Sequence, residues 1–357
     1  MPTSSFEHIH IEVTNVCNFA CEFCPDMILK RPRGHIDLEL LRKILDEVAT
    51  FEGRPTVLFH VMGEPLLYPH IFDALEMAVE CDLNLELITN GSTFHLIPKH
   101  IQKLIAANVP KVTISLQTPD EETFTIRGEM KNLSADDYFQ GIINFTRENM
   151  RSDSKTIVQV KFMDSTPTFF SVPYKTLRVI KGRDELRHHL SDWKKKFLQG
   201  TIPDSDLEEL LKKKFGKLLL GVPQFFKIHP KIVLYSFPLE NWGNLDEDEF
   251  YPAKIGYCDG AVGQMGILQD GKVTPCCTDY EGLIPLGNVN ENSLVEILEN
   301  DATRTLRECF DRMRVDDPLC QQCLGANTRG KSLVRQVGAI AYYKLMKPIF
   351  RKKQRVD

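Results

Sequence analysis

Six short β-prone segments, separated by helical patterns, constrain the fold of this chain more than any other feature. The segments are HIHIEVT (8–14), TVLFHV (56–61), LNLELIT (83–89), KVTISLQ (111–117), TIVQVKFM (156–163) and KIVLYSF (231–237). The first helical pattern between them begins after an N-cap candidate, Asp37. Repeated strand–helix–strand order predicts parallel βαβ units, and therefore an α/β protein built as a barrel or an open sheet. Functional groups of such folds gather at the carboxyl ends of the strands.

The connection between the fifth and sixth segments is longer than the others and predicts a helical insertion over about 166–228. It contains the helical patterns DELRHHLSDWKKKFLQG and DSDLEELLKKKFGKLLLGV, each with a basic face. We expect the lysine triplets at 194–196 and 212–214 to be solvated; a lid or partner surface over the barrel mouth is the alternative. His188 and His189 are expected at the surface. The core domain with this insertion is predicted to cover residues 1–245.

The character of the chain changes after residue 245, where the acidic, linker-like run NLDEDEF ends the core. The run ILQDGKVTPCC predicts a β-hairpin that turns at Asp270-Gly271, and NSLVEILEN predicts a helix. We therefore expect a small α+β domain over residues 246–335. A basic tail is expected over residues 336–357, with a membrane-surface role as a minor alternative.

The composition excludes several classes of protein. The net charge of −5 predicts no binding to nucleic acid through its phosphates. No run approaches the roughly 18 apolar residues of a membrane span, and the start MPTSSFEHIHIEV lacks the pattern of a secretion signal. We therefore expect a cytoplasmic protein, in which thiols stay reduced. Ten cysteines in that compartment favour metal ligation over disulfides.

Three cysteines, Cys17, Cys21 and Cys24, directly follow the first β-prone segment. A structural zinc site has four ligands, and a [4Fe–4S] cluster is usually held by four cysteines. Three thiols would leave one iron open to a small molecule. The alternatives are a zinc site with a distant fourth ligand, or chance clustering of buried thiols.

This C-x3-C-x2-C pattern after a first strand resembles the signature of the radical S-adenosylmethionine (radical SAM) enzymes. MGEP (62–65), after the second strand, is similar to their GGE motif, although Met62 replaces its first glycine. The resemblance covers residues 8–165 and implies a partial (β/α)6 TIM-like barrel. It also implies a [4Fe–4S] cluster on the three cysteines, and SAM contacts at Phe23, Gly63, Glu64, Asn90, Ser115, Gln117 and Arg127. In this family an electron, supplied by a reductant such as flavodoxin or ferredoxin, cleaves SAM to a 5′-deoxyadenosyl radical that abstracts a substrate hydrogen.

Four further cysteines, Cys258, Cys276, Cys320 and Cys323, fall into two pairs, which suits a closed cluster or a zinc ion. The spacing C-x12-G-x4-C resembles the start of a SPASM domain, the cluster-binding extension of many radical SAM enzymes. No cysteine follows Cys323, so the pattern resembles the shortened Twitch form with one auxiliary [4Fe–4S] cluster. The layout is most similar to that of the radical SAM dehydrogenase that acts on an aminocyclitol alcohol in butirosin biosynthesis.

Cys277 and Asp279 are the candidate catalytic residues of this second domain. Relatives that oxidise peptides carry a carboxylate beside the ligand cysteine, which the resemblance implies is a general base. Cys277 is interpreted as a packed thiol or as a hydrogen donor, and Asp279 as a base or as an exposed hairpin-end carboxylate. Cys81 and Cys309 are expected to be buried thiols. Trp242 is expected in the core at the domain junction, with a place in the pocket wall as the alternative.

The leading functional prediction is oxidation of a small-molecule or peptide substrate, with the auxiliary cluster as electron acceptor. The alternatives are a redox-neutral epimerase that uses Cys277, a maturase of ribosomal peptides, and a non-catalytic iron–sulfur or zinc scaffold. Maturases often carry an N-terminal peptide-recognition domain, and the first strand here is predicted to begin near residue 8.

Overall fold

The computed structural model describes residues 6–128, 130–167, 177–213, 215–239, 242–244 and 250–347. Their strands form one sheet in the order β10-β9-β8-β1-β2-β3-β4-β5-β7-β6. The strands are β1 His8–Ile11, β2 Thr56–Phe59, β3 Asn84–Thr89, β4 Lys111–Gln117, β5 Ile157–Asp164, β6 Gln224–His229, β7 Ile232–Pro238, β8 Gln264–Ile267, β9 Lys272–Thr274 and β10 Gly287–Asn288.

The six strands predicted for the core, β1 to β5 and β7, are parallel and consecutive in the sheet. This arrangement confirms the α/β prediction and the partial TIM-like barrel. The helices that connect and cover the strands are α1 Leu38–Ala49, α2 Ile71–Glu80, α3 Thr93–Leu96, α4 Lys99–Ala107, α5 Glu121–Phe124, α6 Ala135–Arg151, α7 Arg183–Leu198, α8 Asp204–Lys212, α9 Leu294–Glu299, α10 Asp301–Asp311, α11 Pro318–Leu324 and α12 Arg329–Ala341.

Local sequence signals explain where several helices begin. Asp37 caps α1, because its side chain accepts hydrogen bonds from the backbone N–H groups of Glu39 and Leu40. Ser293 caps α9, the predicted NSLVEILEN helix, in a reciprocal arrangement with Glu296. Because the capping side chains accept hydrogen bonds from the first backbone N–H groups, each helix begins at the residue that the sequence pattern predicts.

The barrel has an apolar outer layer and a partly polar interior. Ile9 and Ile11 of β1 are fully buried in the main core, together with Leu41 and Ile44 of α1. The alternate β1 position, His10, is also buried, and its Nδ1 atom lacks a hydrogen-bond partner among the described residues. Strand alternation therefore sends the isoleucines to the helices and His10 to the barrel interior, while His8 at the start of the strand is exposed.

The predicted C-terminal hairpin continues the sheet of the barrel. Strand β8 pairs in parallel with β1, with His8 opposite Gln264, and β9 pairs antiparallel with β8. The turn at Asp270-Gly271 places Gly271 at a φ of +87°, a region that glycine adopts without steric cost. The hairpin prediction is confirmed, and the hairpin adds its strands to the edge of the barrel sheet. The domain limits at residues 245 and 335 stay a prediction.

Several expectations for the insertion were wrong. The run QFFKIH forms β6, an antiparallel edge strand beside β7 that the sequence analysis did not predict. Lys194 of α7 is buried rather than solvated, and its Nζ donates to the carbonyl oxygens of Leu210 and, at 3.0 Å, Lys213. His189 is half-buried, because α7 turns its ring toward Asp120, 3.5 Å from the carboxylate. A lysine triplet predicts charge but not which of its members points into the protein.

The linker at 245–249 and the end of the basic tail at 348–357 lie outside the described residues. In the part of the chain that the structure describes, no helix is both long and apolar enough to cross a membrane.

Candidate functional site

Cys17, Cys21 and Cys24 lie on the loop that leaves β1, at the carboxyl end of the barrel strands. Their side chains line a cavity of about 810 Å³, part of which is open to solvent. The predicted SAM-contact residues line the same cavity: Phe23, Gly63, Glu64, Asn90, Ser115, Gln117 and Arg127. Residues from four successive strand ends therefore converge with the three thiols.

Backbone hydrogen bonds hold the cysteine loop against the barrel. Ala20 N donates to the carbonyl of Arg127 at 3.0 Å, and Glu22 N donates to that of Ile126 at 2.9 Å. An ion pair within the same loop, between the Arg33 guanidinium and the Asp26 carboxylate at 2.5 Å, also stabilises its conformation. The three thiols are thus fixed by contacts that do not involve the thiols themselves.

The donor chemistry of the three thiols fits a metal cluster. Burial raises the pKa of Cys17 to about 12, and burial also raises the pKa values of Cys21 and Cys24. A thiolate in such surroundings requires a compensating positive charge, which iron supplies when it binds sulfur. The Asn90 side-chain amide lies 3.8 Å from Cys17 Sγ and can donate a hydrogen bond to a bound thiolate.

Gly63 allows the loop after β2 to approach the cysteine loop. Its φ is +78°, and an added Cβ would lie 2.5 Å from the carbonyl oxygen of Thr14. The next residue, Glu64, donates its backbone N–H to the carbonyl of Val16 at 2.8 Å. The position therefore requires glycine, both for its backbone conformation and for space.

The Glu64 carboxylate is buried and organises the neighbouring strand ends. It accepts hydrogen bonds from Leu66 N at 3.0 Å, the Thr89 hydroxyl at 2.6 Å and Asn90 N at 2.5 Å. Burial raises its pKa to about 7, although these donors and the charge of Arg127 act in the opposite direction. The carboxylate thus connects the loops after β2 and β3.

Arg127 is buried beneath the cavity and supports the irregular end of β4. Its Nε donates to the Thr118 hydroxyl at 2.8 Å, and its Nη2 donates to the carbonyls of Ser115 and Leu116. Its guanidinium also lies 5.0 Å from the ring centre of Phe19. Because β4 is irregular before Gln117, which has a φ of +52°, these bonds hold that strand end in place.

The second set of cysteines, Cys258, Cys276, Cys320 and Cys323, lines another cavity of about 340 Å³. Burial raises the pKa values of Cys258, Cys276 and Cys320, to about 12 for Cys276. Cys320 and Cys323 lie on α11, about one helical turn apart and on one face. Among the described residues, no group of three or more His, Cys, Asp or Glu side chains is arranged to hold a single metal ion.

Asp279 also lines this second cavity, and it is buried, unlike the exposed carboxylate of the alternative interpretation. Its carboxylate accepts hydrogen bonds from Leu283 N at 2.8 Å and Ile284 N at 2.9 Å. Burial raises its pKa. Cys277 is half-buried, and within the described residues it lines neither cavity. Its role stays a prediction.

A short turn connects the two cavities. Trp242 lines the first cavity, and its Nε1–H donates to the carbonyl of Phe23 at 2.9 Å. A Cβ added to Gly243 would lie 2.9 Å from Thr278 Cγ2 and 3.4 Å from Cys323 Sγ. The two thiol sites are therefore separated by little more than this turn. Of the two interpretations of Trp242, the pocket wall is correct, although the ring also packs against Tyr280.

A buried ion pair joins the same two regions. Arg31 donates to Glu12 at 2.9 and 2.8 Å, and its Nε donates to the carbonyl of Tyr280 at 2.6 Å. Glu12 also accepts hydrogen bonds from Met62 N and Gln269 N, both at 3.2 Å. This pair links β1, the 62–65 turn and the C-terminal hairpin.

Sequence reasoning missed some site residues. His60 directly follows β2 and lines the first cavity, and burial lowers its pKa to about 3. Its position after a strand end was the available signal. The expectation for Cys81 and Cys309 was wrong: both are half-buried, because each lies at an exposed helix end and donates to a carboxylate, Asp46 or Asp316.

Comparison with known proteins identifies two domains. Residues 11–160 match the Radical SAM superfamily, and residues 258–324 match SPASM, an iron–sulfur cluster-binding domain. These domains imply [4Fe–4S] clusters and SAM, which agrees with the two thiol cavities.

Two relatives by sequence have named activities. An AdoMet-dependent heme synthase of Methanosarcina barkeri is 26% identical over 340 residues, which cover 87% of this chain and 86% of that protein. A 2-deoxy-scyllo-inosamine dehydrogenase of Niallia circulans is 27% identical over 135 residues, covering 37% of this chain and 52% of that protein.

Two solved structures share the fold. BtrN in complex with AdoMet and 2-DOIA has a TM-score of 0.50 at 18% identity, covering 86% of this chain and 88% of that one. Streptococcus suis SuiB has a TM-score of 0.53 at 14% identity, covering 93% and 72%.

Proposed function

We propose that this chain, which belongs to the radical SAM enzymes and carries a SPASM domain, oxidises its substrate by two electrons. The observation that carries the proposal is the second thiol cavity, which is separated from the SAM cavity by the Trp242–Gly243 turn. An electron acceptor in that cavity would lie beside a substrate held at the barrel mouth.

When bound, the cluster on Cys17, Cys21 and Cys24 and its SAM supply a 5′-deoxyadenosyl radical. The residues of the first cavity bind and orient: the turn at Gly63 offers backbone groups, and Asn90 and Arg127 hold the adjoining strand ends. Phe23 and Trp242 narrow the cavity and exclude water. The cofactor would therefore supply the reactive group, and the residues of the chain would bind and orient the reacting molecules.

The oxidation balances as follows. In the proposed oxidation the substrate would give up a hydrogen atom, a proton and one further electron; Cys258, Cys276, Cys320 and Cys323 would hold the cluster that accepts this electron, and a base would take the proton. We propose that Asp279 influences the cluster bound at this second site, because the Asp279 side chain lines the second cavity. Its role as the base is also a proposal. Epimerisation with Cys277 as hydrogen donor is less favoured, since Cys277 is not among the described residues lining either cavity.

The names of the two relatives supply first substrates to test. We propose a small molecule, with 2-deoxy-scyllo-inosamine and heme precursors as the initial candidates, and a peptide as the alternative. We propose that the reaction takes place in the cytoplasm, with flavodoxin or ferredoxin as the reductant, because the thiols must stay reduced before cluster assembly.

The test is anaerobic reconstitution with iron and sulfide, followed by dithionite, SAM and each candidate substrate. We expect about eight irons per chain, 5′-deoxyadenosine and an oxidised product. The double variant Cys320→Ser with Cys323→Ser should hold about four irons, still cleave SAM, and form no oxidised product. Cys309→Ser is the matched control, because its thiol lines neither described cavity, and it should behave as the wild type.

Oxidised product from the four-iron variant would contradict the proposed electron acceptor. Incorporation of solvent deuterium at an otherwise unchanged substrate carbon would favour epimerisation. A fully loaded protein that forms no 5′-deoxyadenosine with any substrate would support the scaffold alternative.

A further inference from the structure

The C-terminal helix α12 is held against the segment that precedes the second thiol cavity in the sequence. The Ser332 hydroxyl donates to the carbonyl of Tyr251 at 2.9 Å. The Gln336 Oε1 atom accepts hydrogen bonds from Lys254 N and Ile255 N, both at 3.1 Å. Breaking these bonds would leave backbone N–H groups without their acceptor, so they oppose rotation of the helix. The orientation of α12 therefore fixes which of its other side chains can reach the thiols.

Arg335 of α12 reaches the second thiol cavity from behind one of its cysteines. The residue is half-buried, and its Nη2 atom donates to the carbonyl oxygen of Cys323 at 3.0 Å. Cys323 lies in the last turn of α11, where the carbonyls have no partner within the helix. The hydrogen bond therefore caps α11. It also holds a permanent positive charge against a residue whose side chain lines the cavity.

The second cavity has no cation in its own described lining. The one charged side chain there is the Asp279 carboxylate, and the other lining groups are thiols, a threonine and apolar side chains. Lys347 contributes little positive charge to this region, because it is paired with Glu7 at 2.9 Å and with Asp259. Arg335 thus brings a positive charge to a site whose lining is otherwise anionic or uncharged.

The charge of Arg335 matters for the redox chemistry of this site. A [4Fe–4S] cluster bound by four thiolates is anionic, and reduction adds a further negative charge. A fixed positive charge nearby stabilises the reduced cluster more than the oxidised one. We propose that Arg335 raises the reduction potential of the cluster in the second thiol cavity. Arg335 acts through its charge and is not a catalytic residue.

The functional meaning of this effect rests on the proposed role of the second cluster as electron acceptor. The substrate radical would transfer its electron to the cluster, so the radical would be oxidised and the cluster reduced. A higher reduction potential makes this transfer more favourable. The effect on the potential itself needs neither SAM nor a substrate, and it can be measured separately from the oxidation.

The test is a redox titration of the reconstituted full-length chain, followed by electron paramagnetic resonance. Cys17→Ala, Cys21→Ala and Cys24→Ala are combined in every sample as a background, so that the signal comes from the second cavity alone. Arg335→Gln retains a hydrogen-bond donor for the Cys323 carbonyl but removes the charge. We expect it to lower the equilibrium constant for cluster reduction by about tenfold, a potential lower by about 59 mV for one electron.

A conservative variant and a matched control separate charge from helix capping. Arg335→Lys retains the charge and should restore most of the potential, even if the hydrogen bond to α11 is weakened. Arg329→Gln removes an exposed cation from the beginning of the same helix and should leave the potential unchanged, because solvent screens that charge.

An unchanged potential in Arg335→Gln would overturn the proposal, as would an equal fall in Arg335→Gln and Arg335→Lys, and either result would leave Arg335 as a helix cap. A background variant that binds no iron would overturn it together with the proposed electron acceptor. By contrast, an unchanged potential in Arg335→Gln alongside oxidised product from the wild type would overturn this inference alone and leave the proposed function intact.

Discussion

Replacing Gly63 by alanine should damage the SAM cavity without removing any side chain that touches SAM. The residue has a φ of +78°, which costs a non-glycine residue about 1–2 kcal/mol. The new Cβ would lie 2.5 Å from Thr14 O and 2.8 Å from the Cα and carbonyl carbon of Asn15. These are backbone atoms, so the overlap is relieved only by moving the loop, at a further cost of about 1–3 kcal/mol.

The loop cannot move freely, because Thr14 and Asn15 are anchored. The Thr14 hydroxyl donates to the carbonyl of Gly34 at 3.0 Å, and the Asn15 amide donates to that of Pro32 at 3.0 Å. Since Cys17 follows two residues later, the displacement reaches the first cluster ligand. We expect Gly63→Ala to lower the free energy of unfolding by about 2–5 kcal/mol. It should also weaken SAM binding by about tenfold to a hundredfold, as small misplacements of reacting groups do.

The assay is isothermal calorimetry of SAM with the reconstituted protein, together with urea unfolding and iron analysis. Gly200→Ala is the matched control: its φ is +70°, and an added Cβ there has no neighbour within 4 Å. It should show only the backbone cost of about 1–2 kcal/mol and normal SAM affinity. If Gly63→Ala bound SAM as the wild type does, or lost no more stability than Gly200→Ala, the close-approach argument would be refuted.

Three further predictions concern residues around the cavities. Arg31→Met should lower the free energy of unfolding by about 3–5 kcal/mol in urea denaturation, because it leaves the Glu12 charge buried and unpaired; a loss under about 1 kcal/mol would refute the role of the pair. His10 has its pKa lowered by burial to about 3, so the unfolded chain takes up a proton near pH 6.5 and the folded chain resists it. Stability from this group is therefore lost as the pH falls from about 6.5 toward about 3, by up to about 1.4 kcal/mol per pH unit, and His10→Gln should reduce the slope seen in urea titrations by that amount while His60 keeps its own contribution; an unchanged slope would count against it. Trp242 is one of two tryptophans, and the other, Trp193, is fully buried under α6 and β5. SAM should therefore change the tryptophan emission of the wild type but not that of Trp242→Phe, and a response that persists in the variant would remove Trp242 from the cavity wall.

Much of the barrel could be predicted from the sequence, because its strands are marked by local patterns. Buried parallel strands require continuous or alternating apolar runs, and all six core segments have them. Strand β6 escaped prediction because it is an edge strand: its burial alternates, but Phe225 lies on the exposed side, so the sequence shows no alternation of apolar and polar residues. Lys194 escaped for a different reason. Its burial depends on the carbonyls at the end of α8, and no local pattern reveals them.

The same division holds for the candidate site. The spacing of Cys17, Cys21 and Cys24 is short enough that one loop must hold all three thiols, so the first cluster site is a local property. The approach of Cys258 and Cys276 to Cys320 and Cys323 is not a local property, because more than forty residues of sequence separate the two pairs. The family resemblance, rather than spacing, carried that prediction.

By itself, the sequence determined the order of strands, the helix starts and the thiol chemistry, because these depend on interactions among residues a few positions apart. Only the tertiary structure decided that β8 lies beside β1, and that the two thiol cavities lie close together on either side of the Trp242 turn. It also decided that Asp279 is buried and that α12 turns Leu333 outward. These features depend on which distant surfaces pack together, and the free energy of that packing is a property of the whole chain rather than of any one segment.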